Sequence, residues 1–124
     1  MKEAVIHTDP ETEYYFEEGC FILELLNTPE DPKISIARAR VEPGVSTVRH
    51  RLSGIEERYV ILKGRGRVDV GDLPPQTVVP GDVVQIPANC PQCITNVGDE
   101  DLIFLAICTP RFTSATYHTV NHEI

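Results

Sequence analysis

Nine short runs of β-branched and apolar residues, each closed by a turn, constrain this chain more than any other feature. They are CFILELL (20–26), KISIARARV (33–41), STVRHRL (46–52), ERYVILK (57–63), RGRVDV (65–70), QTVV (76–79), DVVQI (82–86), QCITNV (92–97) and DLIFLAICT (101–109). Between them lie NTPEDP, EPG, LSG, KG, GDLPP, PGD, PANCP and GDED. Glycine supplies positive φ, while proline and aspartate pre-set tight turns. Strands of this length at regular spacing predict a β-sandwich or barrel. No stretch of the body carries apolar residues at helical spacing over three turns. Residues 1–19 and 113–124 are polar and read as a short helix, an edge strand or loose ends. With 124 residues and no repeat or linker, the chain is expected to form a single domain over 1–124.

Charge narrows the partners. Eleven Lys and Arg against nineteen Asp and Glu leave a formal charge of −8. Such a surface repels phosphate backbones and anionic lipid heads, so neither nucleic acid nor membrane is expected as a partner. No segment approaches the roughly 20 apolar residues of a membrane span, and the N-terminus lacks the apolar stretch of a signal peptide. A cytoplasmic location is the default expectation. Four cysteines (Cys20, Cys90, Cys93, Cys108) in a chain of this kind do not read as a disulfide scaffold. Cys108, inside LIFLAIC, reads as a small buried hydrophobe.

Two blocks carry the chemistry. Residues 44–64, GVSTVRHRLSGIEERYVILKG, place Gly44, His50, Leu52, Glu57 and Gly64 at the spacing Gly, five residues, His-x-His, three or four residues, Glu, six residues, Gly. Residues 81–96, GDVVQIPANCPQCITN, place Gly81, Pro87, Asn89, Gln92 and Asn96 at the spacing Gly, five residues, Pro-x-Gly, two residues, His, three residues, Asn. Two such blocks in this order resemble the cupin superfamily, and the short gap from 64 to 81 resembles its compact microbial members. The resemblance covers about residues 33–110. It implies an all-β fold, a double-stranded β-helix or jelly-roll barrel.

The resemblance also implies a divalent metal ion inside the barrel, held from four places. Here these are His50, Leu52 in place of a histidine, Glu57, and Gln92 in place of another. Leucine ligates nothing and glutamine offers one neutral amide oxygen. The remaining set of His50, Glu57 and Gln92 suits a loosely held ion completed by water. The alternative is that His50 and Glu57 hydrogen-bond each other in a pocket without metal.

Strand period supports convergence of these side chains. His50 and Leu52 point the same way, and Tyr59 shares a face with Glu57. Glu56 then faces solvent. His50, Glu57 and Tyr59 are the candidate catalytic residues, because burial tunes such groups for proton transfer.

In KISIARARV one face carries Ile34, Ile36, Arg38 and Arg40, and the other Ser35, Ala37, Ala39 and Val41. Arg38 and Arg40 either line the pocket and bind an anionic substrate or face solvent. Arg111 either caps the pocket mouth or pairs with an acidic neighbour. Cys90-Pro91-Gln92-Cys93 has redox C-x-x-C spacing, but it spans a turn and a strand start rather than a helix N-terminus, so no functional dithiol is expected. His118 and His122 are expected to be exposed, with His118 as an optional extra ligand; His7 shows no signal.

The leading expectation is a pocket acting on a sugar-like or carboxylated metabolite by isomerase or lyase chemistry. A non-catalytic ligand-binding or sensor barrel without metal is the alternative. An oxygen-using iron enzyme is disfavoured by Leu52 and Gln92. Small cupins usually pair, and FILELL and LIFLAI offer edges to cover, so a homodimer is expected.

Overall fold

The structure, a computed structural model, describes residues 1–120. Eleven strands make up nearly all of its regular structure: β1 (Tyr14–Phe16), β2 (Cys20–Leu26), β3 (Ser35–Val41), β4 (His50–Leu52), β5 (Glu56–Lys63), β6 (Gly66–Val70), β7 (Gln76–Val78), β8 (Val83–Ile86), β9 (Gln92–Asn96), β10 (Leu102–Thr109) and β11 (Tyr117–Thr119). Two single 3-10 turns, Pro10–Thr12 and Ser114–Thr116, are the only helical pieces among the described residues. Among the described residues no helix is long and apolar enough to cross a membrane.

The strands form two antiparallel sheets, of order β1-β2-β3-β10-β5-β8 and β11-β4-β9-β6-β7. Their inner faces share one core, in which Ala39, Tyr59, Ile61 and Phe104 of the larger sheet meet Val68, Val70 and Ile94 of the smaller. A second cluster of Leu52, Ile55 and Cys108, flanked by Phe112 and Tyr117, closes one end. This is the expected jelly-roll barrel.

All nine sequence runs become strands, with STVRHRL cut to its last three residues and an isolated bridge from Ser46 to Thr95. The polar termini add β1 and β11. The edges differ from expectation. FILELL and LIFLAI lie in β2 and β10, each with a strand on both sides, but β1 pairs only with Cys20–Ile22, so LIFLAI is covered along its length and FILELL only at its start.

Motif residues outside the pocket hold turns. Asn89, in the place of a family glycine, takes φ 66°, a left-handed conformation that asparagine tolerates better than most residues. Asn96, 1% exposed, donates from Nδ2 to the carbonyls of Val41 (2.9 Å) and Glu100 (2.8 Å), and its Oδ1 accepts from the Gly98 amide at 2.9 Å. Those bonds use both N–H donors of the side chain and tie the turn after β9 to β3.

Candidate active site

A cavity of about 60 Å³ lies between the sheets, enough for several waters or one very small molecule. Period two delivers side chains to it as expected. His50 and Leu52 enter from β4, Glu57 and Tyr59 from β5, and Ala37 and Ala39 from β3. In the β4–β9 ladder His50 stands directly opposite Gln92.

Gln92, 1% exposed, is used at both ends. Its Nε2 donates to Glu57 Oε1 at 2.7 Å, and its Oε1 accepts a short hydrogen bond from the Tyr59 hydroxyl. The Cys108 thiol reaches the other Glu57 oxygen at 3.6 Å. Tyr59, Gln92, Glu57 and Cys108 thus form one buried relay. Burial pushes the Glu57 carboxyl up to about 7, with the Gln92 and Cys108 contacts opposing.

His50 is fixed separately. Its Nδ1–H donates to the Val48 carbonyl at 2.7 Å. A carbonyl only accepts, so in the neutral ring the proton sits on Nδ1 and Nε2 is bare. Burial lowers the His50 pKa, which keeps the ring neutral. The Tyr117 ring stacks on it with centroids 4.9 Å apart and planes at 23°.

Nε2 points at a residue the sequence reading missed. Glu18 Oε1 lies 3.6 Å from it, beyond hydrogen-bond reach. Glu18 sits in the tight turn between β1 and β2. Gly19 (φ 103°) permits that turn, and the Gly19 amide donates to the Phe16 carbonyl at 2.9 Å. The Val48 amide in turn donates to the Glu18 carbonyl at 2.7 Å. Val48 therefore holds the Glu18 backbone with its N–H and the His50 ring with its C=O. Burial, then the nearby Glu57 charge, raise the Glu18 carboxyl to about 8. At neutral pH the cavity therefore faces a proton-bearing carboxyl towards a bare imidazole nitrogen.

The ion site implied by the family resemblance does not fit this donor set. Leu52 supplies no ligand, the Gln92 oxygen is committed to Tyr59, and both Glu57 oxygens are hydrogen-bonded. Among the described residues no group of three His, Cys, Asp or Glu side chains is arranged to hold a metal.

The expected substrate-binding arginines lie elsewhere. Arg38 and Arg40 project from the opposite face of β3 to Ala37 and Ala39, and neither lines the cavity. Both pair with Glu13 (3.2 and 2.7 Å), and Arg40 also reaches Asp101 at 3.4 Å and lies over the Phe21 ring. The pattern has two faces, and packing of the second sheet selected the Ser35–Ala37–Ala39 face as the inner one. Arg111 donates to Asn27 Oδ1 at 2.8 Å and is not a lining residue.

His118 is exposed on β11, while its neighbour Tyr117 turns inward; His122 lies outside the described residues. Glu18 and Tyr117 carry no signal in the sequence, since one sits in a turn and the other in a three-residue strand.

Cys90 and Cys93 are free thiols at the turn into β9, and burial raises both pKa values. Replacing both with serine is expected to preserve fold and ligand binding, checked by thermal melting and by titration of the cavity. Loss of binding with the fold intact would count against this.

Residues 37–108 match the family model described as "Cupin domain". An uncharacterized protein of Methanocaldococcus jannaschii is 34% identical over 115 residues, covering 91% of each chain. An uncharacterized protein with a double-stranded β-helix domain from Klebsiella pneumoniae superposes with TM-score 0.77 at 16% identity, covering 97% of this chain and all of that one. The oxalate decarboxylase–formate complex of Lactobacillus farciminis superposes with TM-score 0.75 at 24% identity. It covers 88% of this chain, which spans only 33% of that longer protein.

Proposed function

This chain belongs to the cupin domain family, and from that premise we propose that its cavity binds a small hydroxylated, sugar-like carbonyl compound and moves a proton on it without a metal ion. One observation carries the reading: the bare Nε2 of His50 faces the Glu18 carboxyl across 3.6 Å inside the cavity. His50 is suited to take a proton from the carbon beside a carbonyl. Glu18 is suited to give its proton to the carbonyl oxygen, producing an enediol, and the reverse transfers on the neighbouring carbons complete an isomerisation. Glu57, Gln92 and Tyr59 form the polar wall behind them.

A carboxylated substrate is less well supported. No Lys or Arg side chain among the described residues lines the cavity, whereas Glu18, Glu24 and Glu57 do. An anion would enter a site that offers it no countercharge. For the same reason oxalate, named for the Lactobacillus farciminis structure, is not proposed here.

The test is incubation with glycolaldehyde, glyceraldehyde or dihydroxyacetone in heavy water, followed by proton NMR. Deuterium is expected at the carbon beside the carbonyl, and His50→Ala and Glu18→Gln should each slow its entry by roughly a hundredfold. No exchange above the spontaneous rate with any probe would overturn the catalytic reading. The alternative is then a ligand-holding barrel, which the buried hydrogen bonds joining Tyr59, Gln92 and Glu57 favour.

A further inference from the structure

We propose that the ligand of this cavity carries a protonated amine, so that the site selects a small organic cation over neutral or anionic molecules of the same size; this rests on reading the cavity as a ligand site. The first observation is the imbalance of ionisable groups, whose negative charge develops through about 7 for Glu57 and about 8 for Glu18. Three carboxyl side chains, Glu18, Glu24 and Glu57, line the cavity, with no Lys or Arg beside them among the described residues. Arg111, the cation that acts on Glu24, is engaged by Asn27 Oδ1 at 2.8 Å outside the lining.

The second observation is unused polar capacity aimed inward. His50, with its side chain 3% exposed, has no hydrogen bond at Nε2 among the described residues. The Tyr117 hydroxyl is buried and also without a partner among the described residues. Neutral imidazole nitrogen accepts a hydrogen bond and donates none through that atom. The missing partner is therefore a donor, and an ammonium group presents three N–H donors with the positive charge the cavity lacks.

The third observation is the wall. Aromatic side chains of Tyr14, Phe16, Tyr59, Phe104, Phe112 and Tyr117 line the same cavity as the carboxyls. Ring faces attract cations over distances of about 6 Å, most strongly where water is excluded. Phe16, Phe112 and Tyr117 pack edge to face, with centroids 6.4 and 5.2 Å apart, on the side where Tyr117 covers His50. An amine with a short hydroxylated body matches this lining in both charge and polarity.

Three two-carbon probes separate the possibilities: ethanolamine, ethylene glycol and glycolate, matched in size and differing in charge. Each is titrated into the intact chain at pH 8, following backbone amide shifts of residues 18–20, 50–52 and 57–59 by NMR. Ethanolamine is expected to bind at least about tenfold more tightly than either competitor, and Glu18→Gln should reduce that preference severalfold.

Equal or weaker binding of ethanolamine relative to ethylene glycol would overturn the amine proposal while leaving a ligand cavity in place. Magnesium or manganese moving the same amides at lower concentration than ethanolamine would also overturn it, in favour of an inorganic cation. No shift with any probe would remove both the proposal and the reading of the cavity as a ligand site.

Discussion

Glu18→Gln is expected to make the protein markedly more stable above pH 8 while changing little at pH 5. Glu18 starts from an ordinary value of 4.5 and rises to about 8 in the fold, and Glu57 rises to about 7. Both carboxyls therefore hold their protons more tightly folded than unfolded. Their contribution to stability is fully present below about pH 4.5. It fades as pH rises and is lost through about 7 for Glu57 and about 8 for Glu18. A shift of one pH unit corresponds to about 1.4 kcal/mol; allowing for partial screening, Glu18 accounts for on the order of 3 kcal/mol.

Glutamine keeps the shape and cannot ionise, so its variant escapes this loss. Surface charges repel each other at high pH equally in both proteins, so the difference isolates Glu18. Urea unfolding of parent and variant at pH 5 and pH 8.5 measures it. Parallel pH dependence in the two would mean that the Glu18 carboxyl is solvated and titrates normally, and the acid–base pairing with His50 would fail with it.

The second large effect is structural. Gly64→Ala is expected to destabilise the fold by about 3–5 kcal/mol, roughly 10–20 °C in Tm. Gly64 closes β5 at φ 85°, and an added Cβ there would lie 2.8 Å from the Asp101 carbonyl oxygen and 2.9 Å from the Leu102 Cα. Both contacts are backbone at the start of β10. Leu102 is fully buried and paired with Val41, so this segment has nowhere to move.

Gly81 is the control. Its φ of 96° strains an alanine in the same way, yet nothing lies within 4 Å of the added methyl. Gly81→Ala should lose only the conformational part, about 1–2 kcal/mol. Thermal melts of the two variants side by side give the difference. Equal losses would show that β10 gives way, and that Gly64 is required for its dihedral alone.

The resemblance to the two family blocks singled out Gly64, Gly81, Asn89 and Asn96. It also implied that Gln92 lies beside His50, while strand period put Tyr59 beside Glu57, since alternate residues of a strand share a face. It did not identify Glu18 or Tyr117. A turn residue has no period, and three-residue β1 and β11 are too short to show one, so their inward aim depends on Gly19, Val48 and the pairing of β11 with β4.

Nor did alternation decide what Arg38 and Arg40 do. A period of two divides β3 into two faces and is unchanged when those faces are exchanged. In this fold β9 and β6 pack against the alanine face, while Glu13 and Asp101 meet the arginines on the other. The sequence of this protein determined where its strands run and which side chains travel together. Tertiary structure decided which face is inside, because only a second sheet can exclude water from one of two equivalent sides.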